Sequence, residues 1–183
     1  AFFAARSGYA EVREDRNWIV HTLKTLALHF ELSPRQVQRM ISRLMLVVRQ
    51  TPVRNYLDPI VVVFMIFLRL RDEGLLRQLV AGRVKAGEVM AALRTASPGG
   101  QAFYDSRIGK LIEAHLLFAH EGRHDYVNKL LERVQQLDTD ATDAEGLRLK
   151  EIAQMYEGVS HSFFRRNGLD LAAIERRINL VAT

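Results

Sequence analysis

Apolar residues recur along most of the chain at the three- and four-residue spacing of helices that bury one face. The stretch from Asn17 to Phe30 follows this pattern, and Ser33 and Pro34 then provide a capping residue and a first-turn proline for the next helix. One face of that second helix is apolar and is formed by Val37, Met40, Ile41, Leu44 and Val48. The opposite face is polar and basic and is formed by Arg35, Arg39, Ser42, Arg43 and Arg49. The pattern therefore predicts two amphipathic helices joined by a tight turn.

The longest apolar run is IVVVFMIFL, residues 60–68. Asp58 and Pro59 precede it and repeat the helix-start signal of Ser33 and Pro34. The β-branched residues would also suit a strand, but neither alternation nor a hairpin signal accompanies them, so we predict a helix. A membrane-spanning helix needs roughly 20 apolar residues. The run therefore predicts a helix buried within the protein and no transmembrane segment.

The rest of the chain is also helical in pattern, with predicted helices at 88–94, 106–119, 125–136, 145–163 and 170–181. The segment SPGG, residues 97–100, is the strongest break in the pattern. It is the predicted boundary between a lid-like helical subdomain, residues 1–96, and a C-terminal helical subdomain, residues 97–183. The sequence predicts an all-α multi-helix bundle, with a helix-turn-helix-like pair near the N-terminus.

Composition narrows the class of protein only slightly. The chain of 183 residues, 48% hydrophobic and 26% charged, has the balance of a globular protein with a sizeable core. Its formal net charge of +5 is compatible with an acidic partner but does not require one. The absence of cysteine excludes disulfides and thiolate metal sites and favours a cytoplasmic location. The N-terminal residues lack the leader pattern of a signal peptide, and we expect the chain to be a piece of a longer protein.

Residues 23–44 meet several requirements of a helix-turn-helix motif that binds DNA. Ala27 is small enough for a helix crossing, and FELS supplies a tight turn. Glu31, however, stands where this turn usually has glycine, and it brings a negative charge close to any phosphate. The side chains expected to point outward and read base edges are Arg35, Gln36, Gln38 and Arg39. Two packed helices with a solvated basic face fit the same residues, so both interpretations stay open.

The segment HEGRH, residues 120–124, has the H-E-x-x-H pattern of zinc hydrolases. On a helix, His120 and His124 would lie one turn apart as zinc ligands, with Glu121 as general base. Gly122 weakens the helix where that motif needs rigidity, and a third ligand would have to come from His115 or from the acidic residues 143–145. A helix end followed by a polar turn explains the segment equally simply. We predict no metal site and keep zinc as an alternative.

The segment GRVKAGEV, residues 82–89, has two glycines spaced as in a phosphate-binding P-loop. Glu88 and Val89 stand where that loop needs lysine and then serine or threonine. The chain therefore has no Walker A loop of its own in this segment, and we expect no cofactor in this chain alone.

Three stretches together resemble the KAP family of P-loop NTPases. FELSPRQVQRMISRLMLV, residues 30–47, is similar to that family's aromatic residue, Leu-Ser turn, arginine and long amphipathic helix. Residues 56–93, from YLDPIVVVFMIFLRLRDEG to VMAAL, resemble its apolar helix, Leu-Arg pair and short segment ending in glycine. GLDLAAIERRINLVAT, residues 168–183, resembles its closing helix. The chain departs from the family at Gln36 and Val37, where an acidic or bulkier residue is usual, and near Leu76 or Arg77, where tyrosine is common.

This resemblance implies a non-catalytic helical lid and accessory region that follows an ATPase core, in a protein that hydrolyses ATP with magnesium. It implies contacts with its own or a neighbouring core, with a protein partner or in a homo-oligomer. It also implies membrane association through other parts of the parent protein and, in bacteria, a link to phage exclusion and antiviral defence. By fold-level analogy, Arg35 in the first turn of the lid helix, together with Arg39, would bind the nucleotide phosphates.

Overall fold

A computed structural model describes residues 12–51, 58–121, 144–163 and 170–180. Within these ranges every regular element is a helix, and the all-α prediction is confirmed. The helices are α1 Val12–His29, α2 Pro34–Gln50, α3 Pro59–Arg71, α4 Glu73–Val80, α5 Ala86–Thr95, α6 Gly100–Asp105, α7 Arg107–Glu121, α8 Ala144–Phe163 and α9 Leu171–Leu180.

Helix α3 is the centre of the bundle. All of its residues from Pro59 to Leu68 are buried, and α1, α2, α4, α7 and α9 pack around it. A helix that is apolar on every side belongs in the interior of a protein, because water contact on any side would expose apolar surface. The prediction of a buried helix over residues 60–68, in preference to a strand, is confirmed. Among the described helices, none has the length and apolar character needed to cross a bilayer.

The N-terminus of α3 is held by a buried ion pair with α7. One carboxylate oxygen of Asp58 accepts a hydrogen bond from the Val61 amide at 2.7 Å, which caps the helix. The other lies 3.2 Å from Nε2 of His115, whose Nδ1 lies 2.7 Å from the carbonyl oxygen of Leu111. Burial alone lowers the pKa of His115, but the Asp58 carboxylate and the two hydrogen bonds raise it, and the net result is a raised pKa. The pair therefore stabilises the protein most when His115 is protonated.

A second buried ion pair attaches α8 to the rest of the bundle. Arg148 on α8 pairs with Glu113 on α7, and both side chains are buried. The Arg148 guanidinium lies 3.5 Å from the centroid of the Tyr104 ring, and its Nε donates to the Tyr104 carbonyl oxygen at 3.3 Å. Near the surface, Lys110 and Glu151 form a further ion pair between the same two helices. Charge pairing and cation–π contact thus fix the position of α8.

The SPGG segment packs directly against the end of α1. Ser97 Oγ donates to the His29 carbonyl oxygen at 3.1 Å, and a Cβ added to Gly99 would lie 2.2 Å from that oxygen. A Cβ on Gly100 would lie 2.4 Å from the Leu93 carbonyl oxygen. Both positions therefore require glycine because of close backbone contact. The division into residues 1–96 and 97–183 stays a prediction, and described helices on both sides of it share one buried core.

Aromatic rings join the two sides of that core. The ring of Phe30 lies 4.7 Å from the ring of Phe67 and 5.1 Å from that of Phe103, measured between centroids. These separations are in the favourable range for tilted and edge-to-face pairs.

Two short helices, α4 and α6, were not predicted. Asp72 caps α4 by accepting from the Leu75 amide at 2.9 Å, a signal that is present in the sequence RDEGL. Helix α6 begins at Gly100, inside the segment that the sequence marks as a break. The helix predicted at 125–136 lies outside the described residues.

The Asp58–His115 pair predicts that the free energy of unfolding depends on pH. The unfolded chain has an ordinary histidine pKa of about 6.5, and the folded pKa is higher. The stabilisation is therefore complete below about pH 6.5 and is lost as the pH rises through the raised folded value. Urea unfolding of the wild type at stepped pH values from mildly acidic to mildly alkaline should show this decrease.

The variant Asp58→Asn isolates the pair, because asparagine keeps an oxygen that can cap α3. It should lower the free energy of unfolding by about 3 kcal/mol near neutral pH, since it breaks a buried ion pair. It should also flatten the pH dependence attributed to His115. A pH dependence identical to that of the wild type would show that the pair does not control it.

Candidate anion-binding face

Helix α2 contains four arginines and no acidic residue. Met40, Leu44 and Val47 are its buried residues, so one side of the helix is fixed against the bundle. Its outward side is exposed and is formed by Arg35, Gln38, Arg39 and Ser42, here called the α2 face. Arg35 and Arg39 form no ion pair with any described residue. The α2 face therefore presents two uncompensated guanidinium groups to solvent.

The start of α2 is closed by a capping box. Ser33 Oγ accepts from the Gln36 amide at 3.3 Å, and Gln36 Oε1 accepts from the Ser33 amide at 2.8 Å. The predicted cap at Ser33, with Pro34 in the first turn, is confirmed. Gln36 was expected to point outward as a base reader, but its side chain folds back to complete the cap. Pro34 has no N–H group, and the Gln36 amide already donates to Ser33 Oγ. The amide of Arg35 is therefore the first-turn donor that remains for an acceptor outside the helix.

The turn before α2 places Glu31 in the left-handed region of backbone space, with φ of 50°. The amide of Leu32 donates to the Ala27 carbonyl oxygen at 3.0 Å, which is the long bond of a Schellman motif. Helix α4 ends with the same bond, from Arg83 to Gln78, and there the left-handed residue is Gly82, with φ of 67°. Glu31 thus occupies a position where glycine is usual, both for a helix end and for a helix-turn-helix turn.

Arg43 does not lie on the α2 face. At about 100° per residue, it is rotated about 80° around the helix axis from Arg35 and only about 40° from the buried Val47. It is half-buried, and its Nη1 is fully buried and has no hydrogen-bond partner among the described residues. The three arginines predicted to share one side are therefore divided, with Arg35 and Arg39 outward and Arg43 turned towards the bundle.

Charged groups near the C-terminal end of α3 affect the pKa of Arg43. Arg69 Nη2 lies 3.8 Å from Glu73 Oε1, which receives a closer bond of 2.8 Å from Arg77 Nη2. Burial, followed by the positive charges of Arg69 and Arg39, lowers the pKa of Arg43, against a smaller opposing effect of Glu73. The hydrogen bond from Arg77, and then the Arg77 and Arg69 charges, lower the pKa of Glu73. The carboxylate is thus ionised and already engaged by Arg77.

The segment with P-loop-like glycine spacing forms a turn and the start of α5. The Lys85 amide donates to Glu88 Oε2 at 2.7 Å, so a carboxylate already closes this helix N-terminus. A phosphate at the same place would meet that negative charge. In addition to the missing lysine, the Glu88 carboxylate therefore disfavours phosphate binding at this turn.

The segment HEGRH begins in the last turn of α7. His120 and Glu121 belong to the last turn of α7, but their side chains and His124 lie outside the described residues. His115, the suggested third ligand, has its two ring nitrogens next to Asp58 and the Leu111 carbonyl oxygen. Among the side chains that the structure describes, no three His, Asp or Glu residues come together as a metal site.

Comparisons with known proteins give no relative. No protein-family model matches the chain, and no curated protein and no solved structure is significantly similar to it. The likeness to KAP-family NTPases therefore rests on the three sequence stretches alone and stays a hypothesis. Arg35 and Arg39 likewise stay predicted binding residues.

The left-handed Glu31 predicts that replacement by glycine stabilises the protein. Glu31→Gly removes the steric cost of a side chain at positive φ and should raise the free energy of unfolding by about 1 kcal/mol. Gly82→Ala, at the equivalent position after α4, is the matched control and should lower it by about 1 kcal/mol. Denaturant unfolding measures both. A destabilising Glu31→Gly would mean that the glutamate side chain makes a stabilising interaction in this turn.

Proposed function

We propose that the chain is the helical lid and accessory region of a KAP-like P-loop ATPase, and that the α2 face contacts anionic phosphate groups. The observation that carries the proposal is the combination of four arginines and no acid on α2 with two exposed, unpaired guanidinium groups. Arginine suits this role because its planar group donates paired hydrogen bonds to phosphate oxygens.

Arg35 is the residue proposed to reach the nucleotide. It lies in the first turn of α2, where the helix dipole adds a partial positive charge and its own backbone amide is not needed by the cap. Arg39 lies one turn further along the same face, close enough to contact a neighbouring phosphate. Arg43 is about 12 Å from Arg35 along the axis and is turned inward, so it cannot serve the same phosphate group.

On this proposal the chain has no activity alone, and ATP and magnesium belong to the parent protein. Its partners are its own or a neighbouring ATPase core, with a protein partner or a second copy as further candidates. The proposed cellular role is bacterial antiviral defence, in the cytoplasm or at a membrane reached through other parts of the protein. These points rest on the family resemblance.

The alternative function is that of a helix-turn-helix module that binds DNA. It is supported by the turn between α1 and α2, where Glu31 has the positive φ that glycine usually provides in that motif. The exposed Arg35, Gln38 and Arg39 are suitable for base edges or backbone phosphates. Gln36 is not available to read a base because it completes the cap. We place this function second for that reason.

The first test of the ATPase proposal is the protein sequence encoded upstream of residue 1, which should contain a Walker A loop. In the complete gene product, Arg35→Ala should then lower kcat for ATP hydrolysis by about tenfold to a hundredfold, since it removes a donor to developing phosphate charge. Arg83→Ala, which removes another exposed arginine, is the matched control and should leave kcat unchanged. Equal kcat for Arg35→Ala and the wild type would exclude the lid role of this residue.

The two functions also differ in how this chain behaves towards DNA. A DNA-binding helix should bind duplex DNA on its own, with log affinity falling against log salt by roughly 0.9 per phosphate contacted. On the ATPase proposal, the chain should not retain duplex DNA at physiological salt in a fluorescence-anisotropy titration. Specific binding of duplex DNA would favour the DNA-binding alternative if Arg39→Ala weakened it and reduced the slope of log affinity against log salt by about 1.

A further inference from the structure

Large apolar side chains that remain exposed are concentrated on the first two helices. Among the described residues, those of this kind are Val20 and Leu28 on α1, Ile41 and Leu46 on α2, and Leu147 on α8. Single exposed apolar residues are common on protein surfaces, whereas a contiguous apolar surface indicates an interaction site. On α2, the helical register makes Ile41 part of a contiguous apolar row.

The apolar side of α2 is wider than the part that the bundle covers. Its buried residues are Met40, Leu44 and Val47. Three further apolar residues, here called the α2 ridge, recur at every fourth position along one edge of this side: Val37, Ile41 and Met45. Ile41 is 44% exposed, and the other two are half-buried. Ile41 is rotated about 60° around the helix axis from Leu44, so the α2 ridge lies at the boundary between core and solvent.

A row of side chains at four-residue spacing is a surface against which another helix packs. Residues at i, i+4 and i+8 form a ridge, and such ridges fit into the grooves of a second helix. From Val37 to Met45 the α2 ridge extends over about 12 Å, or about two helical turns. A short amphipathic helix is therefore long enough to cover it.

The charge around the α2 ridge favours an acidic partner. Arg49 continues the same row one turn beyond Met45, and Arg35 and Arg39 are exposed on the adjoining α2 face. Helix α2 itself has no acidic residue to offset these charges.

The same features disfavour two other occupants. In a contact between second copies of this chain, two α2 helices would bring their arginines together without a carboxylate on either helix. A helix that lies in a membrane surface inserts its apolar face into the lipid. The centre of the apolar side of α2 is buried in the bundle and is not available for such insertion.

We infer that the α2 ridge is a docking site for an acidic amphipathic helix of a protein partner. Apolar residues of that helix cover Ile41, and its carboxylates pair with the arginines beside the ridge. Complementary charge of this kind speeds the encounter and rejects basic partners. The inference is independent of the proposed lid role, because it rests on apolar residues and is tested with this chain alone.

The test is a fluorescence-anisotropy titration of the chain with a labelled synthetic helix. The probe has the length of α2, 17 residues, with leucine on one face and glutamate on the other. It should bind the wild type, with an affinity that falls as the sodium chloride concentration is raised. A peptide of the same composition in scrambled order, and a peptide with lysine in place of glutamate, should each bind at least about tenfold more weakly. Equal binding of the scrambled peptide, or no binding of the probe, would overturn the inference.

The variant Ile41→Ala locates the contact. It removes apolar surface at the centre of the α2 ridge and should weaken binding of the glutamate peptide by about tenfold. Leu147→Ala, at an exposed apolar residue on α8, is the matched control and should bind the peptide as the wild type does. Both residues are exposed, so both variants should keep the Tm of the wild type. An unchanged affinity for Ile41→Ala would show that the peptide binds elsewhere and would contradict the inference.

Two further measurements test the other occupants. Analytical ultracentrifugation of the chain alone, over a range of concentrations, tests a second copy, and flotation with vesicles that contain phosphatidylserine tests a lipid surface. Ile41→Ala should give the same result as the wild type in both. If it abolishes self-association or vesicle binding, that occupant covers the α2 ridge and the inference is wrong.

Discussion

The stretch of α3 from Pro59 to Leu68 has no polar side and must be covered by other helices all round before this chain can be stable. Five other helices do so, and their positions follow from that requirement. Burial of α3 also removes Asp58, its capping residue, from water. A buried carboxylate needs a counter-charge, which His115 supplies from α7. The apolar run thus determines the placement of one buried ion pair, Asp58–His115, as well as the packing around α3.

The same helix explains where charge collects at the surface. Its apolar part ends at Leu68, and Arg69 and Arg71 follow in the last turn, where positive charge suits the helix dipole. Arg69 therefore lies at the end of a helix that packs against α2, which has no acidic residue. Basic residues are therefore concentrated at the end of an apolar core helix and along the basic amphipathic helix that packs against it. The formal net charge of the whole chain is only +5 although positive charge is concentrated here, because acidic residues elsewhere along the chain offset it.

The sequence was most informative where local chemistry determines structure. The caps at Ser33 and Asp58, the prolines that follow them and the apolar run were sufficient to predict α2 and α3. The placement of Arg43 was not predicted. Residues four apart are rotated by about 40° around a helix, so Arg35, Arg39 and Arg43 point in progressively different directions, and only the packing shows which of them faces the bundle. The pairs Asp58–His115 and Glu113–Arg148 join distant parts of the chain, and no local pattern indicates them. The glycines of SPGG indicated a break, but not that Gly99 would allow backbone contact with His29 and Gly100 with Leu93.

That contact between the SPGG segment and the end of α1 also bears on the order of folding. The turn between α1 and α2 has a non-glycine residue at positive φ, and just before it the His29 carbonyl oxygen accepts a hydrogen bond from Ser97, 68 residues further along the chain. During synthesis the two N-terminal helices leave the ribosome long before Ser97 is made. The contact at the end of α1 therefore forms only when a long chain loop closes, and non-local contacts of this kind are associated with slower folding than contacts between neighbouring helices.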